Sequence, residues 1–182
     1  MEDTLEILRA LQQMAGDRLR LYPPASDSDL VRAEHVLDIR LPPSYAKLLT
    51  VTNGLDLDAL QSAYICGAGP SRAKWEAVLL NQWLDCQPYH EIAAQWRAFQ
   101  GVYAYERIMD RERGENIFRS DERQLIPFAH TYETWCFDHA RQSPDGERHI
   151  VLWDHEQREA EDTYATFAEW FAHEVASYLG AG

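Results

Sequence analysis

Apolar residues in this 182-residue chain keep a helical interval up to about position 54, alternate in short runs from position 125, and return to a helical interval after position 166. An order of helices, then strands, then a helix reads as α+β, with a mainly antiparallel sheet between N-terminal helices and a C-terminal amphipathic helix. Asp3-x-x-Glu6 has the form of a capping box, and Leu5, Leu8, Leu11, Ala15 and Leu19 follow at helical spacing. Tyr22-Pro23-Pro24 is expected to stop that helix, because proline withdraws a backbone donor and constrains the residue before it. Ser26-x-x-Asp29 can cap a second helix, over residues 30–38, with Leu30, Ala33 and Leu37 as its buried stripe. In Leu41-Pro42-Pro43-Ser44-Tyr45 the second proline suits the first position of a third helix, with Tyr45, Leu48, Leu49 and Thr52 on one face. Asn53-Gly54 then reads as its end, since both residues tolerate left-handed backbone; the competing use, a hairpin turn, fits the preceding 3.6-residue period less well.

The middle of the chain is less regular. Residues 61–66 suit a strand, 74–84 and 89–99 suit helices, and 105–123 mix six acids with five arginines, a solvated surface. Residues 125–129, 133–138 and 147–153 are short runs rich in β-branched and aromatic side chains, with Ser143-Pro-Asp-Gly146 as turn chemistry between two of them. Phe167, Trp170, Phe171, Val175, Tyr178 and Leu179 describe the closing amphipathic helix. Length, 46% apolar residues and six tryptophans fit one domain over residues 1–182.

Thirty acids against seventeen basic residues give a net charge of −13. That balance disfavours nucleic acid or an anionic membrane as the main partner, because each needs a concentrated basic face, and it favours a basic protein. Cys66, Cys86 and Cys136 form no paired framework, so buried thiols in a reducing compartment are expected. No run approaches about 18 apolar residues and no signal peptide is expected, so a soluble, cytoplasmic protein is the reading.

Chemistry-bearing patterns are sparse. Gly67-Ala-Gly69-Pro-Ser71-Arg72 starts like a dinucleotide-binding turn, but its third glycine is Arg72 and no βαβ unit follows; a loop with Ser71 as a helix cap is the simpler reading, and Arg72 and Lys74 could hold an anion there. Cys136-x-x-His139, with His130 and His149 nearby, supplies one ligand pair where a structural zinc site usually needs two, so no metal is expected. Strand alternation would set Trp135 and Phe137 on the face opposite Cys136 and Asp138. Asp154-His155-Glu156 places its groups in different directions, and no linked nucleophile, phosphate or metalloprotease motif occurs, so no catalytic residue and no cofactor is assigned. Trp75, Trp83, Tyr89, Trp96, Phe99, Tyr103 and Tyr105 read as core under two helices before they read as a ligand groove.

Asp29-Leu-Val-Arg-Ala-Glu34, Leu41-Pro42-Pro43-Ser44-Tyr45, Leu48-Leu49 and Asn53-Gly54 together resemble the N-terminal signature of the SUKH superfamily. Leu125-Ile-Pro-Phe128, Trp135-Cys-Phe-Asp138, Ile150-Val-Leu-Trp153 and Phe167-x-x-Trp170-Phe171 follow the same superfamily's C-terminal order. Against it, His130-Thr-Tyr-Glu-Thr134 replaces a Gly/Asp-rich turn, and residues from about 62 to 124 read as an enlarged insertion. The superfamily includes fungal cell-wall-assembly regulators and many bacterial immunity proteins. The resemblance implies an α+β domain that acts by binding, in bacteria typically by neutralising a protein toxin in the cytoplasm. The motif positions Leu41, Pro42, Tyr45, Asn53, Gly54 and Asp138 are expected to build the scaffold.

Charge supplies a separate pointer. From Asp154 to Glu174 seven acids face Arg158 alone, a net −6 in 21 residues. An acidic run of this kind can mimic a phosphate backbone before a basic nuclease and speed association. Asp154, Glu156, Glu159, Glu161 and Asp162 are therefore the candidate partner-binding residues, set against the plainer reading of a solvated turn and helix face. Stoichiometric inhibition of a basic protein toxin is the leading expectation, an intracellular scaffold or regulatory module the second, and a small hydrolase the third.

Overall fold

The structure, a computed structural model, describes residues 3–57, 63–68, 92, 96, 124–130, 134–154 and 159–180. Of the expected helix at 89–99 the structure describes Ile92 and Trp96, both helical; the expected helix at 74–84, the charged stretch at 105–123, Cys86, residues 69–74 of the glycine-rich segment and the aromatic series apart from Trp96 lie outside the described residues.

Helix α1 spans Thr4–Ala15 and buries Leu8, Leu11 and Ala15, while the Asp3 side chain accepts from Leu5 N at 2.9 Å. It stops at Gly16, whose φ of 54° breaks the helical path, and not at the prolines. Leu19 consequently leaves the α1 stripe and opens strand β1, Leu19–Leu21. Helix α2, Asp27–Leu37, carries the full capping box between Ser26 and Asp29, and ends on Asp38 in left-handed backbone at φ 55°. The carboxylate of Glu34 then holds the chain beyond: it accepts from Leu41 N at 3.0 Å and from Arg40 Nη1 at 3.0 Å. Pro43 opens helix α3, Pro43–Leu49, as its spacing predicts.

Helix α3 closes at Thr50, so Asn53-Gly54 neither ends it nor turns a hairpin. That pair instead leads into β2, Leu55–Leu57, and crosses the segment after β3, Ala63–Ile65. Asn53 Oδ1 accepts from Ala68 N at 2.7 Å, and a Cβ on Gly67 would lie 2.5 Å from the Asn53 carbonyl oxygen. Gly67 thus serves close approach of two backbone segments. A tertiary crossing overrode the local helix-end signal.

Among the described residues, strands β4 (Leu125–His130), β5 (Thr134–Gln142), β6 (Arg148–Asp154) and β7 (Glu159–Tyr164) complete a seven-stranded sheet in sequence order, every neighbouring pair antiparallel. The turn at Ser143-Pro-Asp-Gly146 joins β5 to β6, with Gly146 at φ 93°. β1, β2 and β7 lie where no strand is expected from the sequence. Their short length, or their load of acids, hides the period of two.

Helix α4, Phe167–Gly180, packs with α1 and α3 over one face of the sheet. Tyr45 is fully buried there, with ring centroids 5.2 Å from Phe137 and 5.1 Å from Phe167, and its hydroxyl donates to Cys66 O at 2.6 Å. Phe128 stacks on Phe137 at 4.1 Å, and Trp170 meets Phe128 edge-on at 4.8 Å. Alternation places Cys136 on the other face with Leu125, Val151 and Trp153, a smaller apolar cluster.

Candidate protein-binding face

The hairpin of β6 and β7 organises the acidic residues. Its register sets Asp154 opposite Glu159, Leu152 opposite Glu161 and Ile150 opposite Tyr164. Residues directly opposite share a face, so Asp154, Glu159, Glu161 and Tyr164 belong with Ile150 and Leu152 on the helix-bearing side. Ile150 is in the core, whereas Glu161 is exposed. Asp162 holds the register position opposite Val151, in the alternate row, and Glu156 lies outside the described residues together with His155 and Arg158. Three of the five candidate residues are therefore brought into one row. Asp154 and Glu159 stand directly opposite each other across the two strands.

An aromatic and imidazole pair borders that row. Tyr164 Oη lies 2.8 Å from His173 Nδ1 on α4, with ring centroids 5.4 Å apart. The Tyr164 ring is 5.8 Å from Trp135, which in turn lies 5.9 Å from Trp170. Burial, followed by the Glu174 carboxylate, pushes the Tyr164 hydroxyl above the usual phenol range. Neither Tyr164 nor His173 stands out in the sequence. They lie nine residues apart across a strand end and a helix, and only the packing of α4 against β7 joins them.

The remaining candidates have structural places. Leu41, Tyr45, Asn53 and Gly54 are buried, and Asp138 accepts from Ala140 N at 2.8 Å and Arg141 Nε at 2.6 Å, fixing the irregularity in β5. Cys136 is fully buried, and burial, with Cys66 a lesser cause, pushes its thiol well up; His139 is exposed, 3.4 Å from Asp38 O. Among the described residues no group of three or more His, Cys, Asp or Glu is placed to hold a metal ion. Trp96 is half-buried against the main core. No described helix is long and apolar enough to cross a membrane.

Two buried ionisable residues escape sequence reading. Glu147 accepts from Ser44 N at 2.7 Å and Ser44 Oγ at 2.8 Å, and Arg148 Nη1 donates to His139 O at 2.6 Å. Both sit beside the turn that joins β5 and β6, where charged residues ordinarily read as solvated.

A search of curated proteins finds no match to the chain. The family model of the SMI1 / KNR4 family (SUKH-1) matches residues 24–173, from just before α2 to His173 on α4. The match takes in every segment that carried the resemblance, and with it the chain belongs to the SMI1 / KNR4 family (SUKH-1).

Proposed function

We propose that this protein binds and neutralises a basic protein toxin, with a nuclease as the toxin chemistry its charge fits best. Family membership supports a role in binding partners. The observation that carries the proposal is the row of Asp154, Glu159 and Glu161 on one face of the β6–β7 hairpin, within a chain of net charge −13. Carboxylates spaced along a strand present negative charge at regular intervals, as a phosphate backbone does, and a nuclease must hold such a backbone in a basic cleft. Long-range attraction then speeds encounter, while a desolvated aromatic anchor limits dissociation. The position of Tyr164 at the border of the row supports it for that second role.

The test is toxin protection together with stopped-flow association. Charge reversal at Asp154, Glu159 and Glu161 to Lys is expected to slow association about tenfold or more at low salt, with a smaller difference at high salt. An association rate unchanged by the reversal would remove this face from the mechanism.

A further inference from the structure

Tyr164 and His173 form a contact whose direction depends on one proton. The phenol is the stronger acid of the two and the imidazole the stronger base, so at 2.8 Å the neutral pair favours O–H donation from Tyr164 to Nδ1. Burial and the nearby Glu174 carboxylate both help the phenol keep its proton. His173 Nδ1 also lies 3.6 Å from Glu174 Oε1, too far for a hydrogen bond but close enough for an ion pair once the ring is charged. The imidazole side chain is 62% exposed, so a proton reaches it without local unfolding.

We propose that the Tyr164–His173 contact is a proton-directed switch at the junction of β7 and α4. In the neutral state His173 carries its proton on Nε2 and accepts from Tyr164. When His173 is protonated, Nδ1–H donates to Tyr164 Oη and the charged ring pairs with the Glu174 carboxylate. The Tyr164 hydroxyl must then turn its hydrogen outward, because an imidazolium accepts nothing. The proton comes from solvent and returns to it, and no other bond changes. The titratable groups that meet the ring are Tyr164 from β7 and Glu174 from α4; Glu169, one helical turn before His173, is already engaged by Ala165 N at 3.1 Å.

The switch changes the face beside the acidic row in two ways: it adds one positive charge, and it exposes a phenol donor. Its consequence for a basic partner rests on the proposed function, and is slower association when His173 is protonated.

Long-range 15N–1H correlation of the imidazole nitrogens, recorded on the full chain from pH 8.5 to pH 5, tests the switch without any partner. The expected result at high pH is a pyridine-type Nδ1 and a pyrrole-type Nε2 for His173, with both becoming donors in acid. Tyr164→Phe, which deletes only the hydroxyl, is expected to lose the tautomer preference at high pH. Glu174→Gln is expected to keep it. An Nδ1–H tautomer at high pH, or the same tautomer mixture in wild type and Tyr164→Phe, would overturn the proposal. Toxin binding plays no part in this readout, so its failure leaves the proposed function standing, and failure of toxin binding leaves the switch standing.

Discussion

The carboxylate of Glu147 caps helix α3 from the far side of the chain: it accepts from Ser44 N at 2.7 Å and from Ser44 Oγ at 2.8 Å. Pro42 and Pro43 offer no backbone donor and no capping side chain, so the start of α3 depends on a partner from another element. The bond ties the N-terminal helices to the β5–β6 turn. It does so with a residue that is 6% exposed.

Replacing Glu147 by Ala is therefore expected to lower stability by about 1–3 kcal/mol, the range for a lost cap with a buried donor left unmade. Ser44→Ala should cost less, because its backbone N–H still reaches the carboxylate. Urea unfolding of both single variants and the double variant measures the coupling. Additive losses would show that the two residues do not act together.

At the crossing of Asn53 and Gly67, a Cβ on Gly67 would fall 2.5 Å from the Asn53 carbonyl oxygen. Gly67→Ala is expected to destabilise the fold by about 2 kcal/mol or more, since the added methyl meets the backbone of Asn53 and not only the end of a flexible side chain. Gly180→Ala, with nothing near its added methyl, should change stability by no more than about 0.5 kcal/mol. Thermal unfolding of the two variants separates the cases.

Tyr45→Phe removes the donor to Cys66 O at the centre of the aromatic core, keeping the ring. The buried carbonyl is left without that bond, so a loss of about 1–3 kcal/mol is expected, read from the urea midpoint at unchanged slope.

Acid weakens the fold in two windows. Burial holds the His130 imidazole below its ordinary range, so its contribution is full above about pH 6.5 and is lost as pH falls through the lower folded value. The hydroxyl of Ser26 holds the Asp29 carboxyl low, a contribution present above about pH 4 and lost as pH falls through its folded value. Unfolding free energies from pH 8 to pH 3 are expected to show both declines. His130→Gln should flatten the upper window alone, and Asp29→Asn should shrink the lower, which Asp3, held low by Lys47, and Asp145, held low by Ser143, share.

Much of this fold is legible in the sequence where local chemistry and tertiary packing agree. The Ser26–Asp29 capping box, Pro43 at the start of α3, the turn at Gly146 and the stripe from Phe167 to Val175 each place the same residues by both criteria. Leu19 and Asn53-Gly54 are misread because the deciding partner is distant: β2 recruits Leu19, and Gly67 with Ala68 recruits Asn53. The acidic row is half legible. Composition marks the stretch, but only the register of β6 and β7 shows that Asp154, Glu159 and Glu161 align while Asp162 takes the alternate position. Tyr164 and His173 carry no local signal, because a strand end and a helix face meet only after folding.

The most direct test of the central claim is a pull-down from a lysate of the source organism, washed at high salt, with stoichiometry read by mass spectrometry. Wild type and the triple reversal of Asp154, Glu159 and Glu161 to Lys would be compared. The account predicts one dominant basic partner near equal stoichiometry on the wild type, a partner whose toxicity is abolished by this protein, and its loss from the reversed variant. Several substoichiometric partners, or a single partner held equally by both forms, would contradict it.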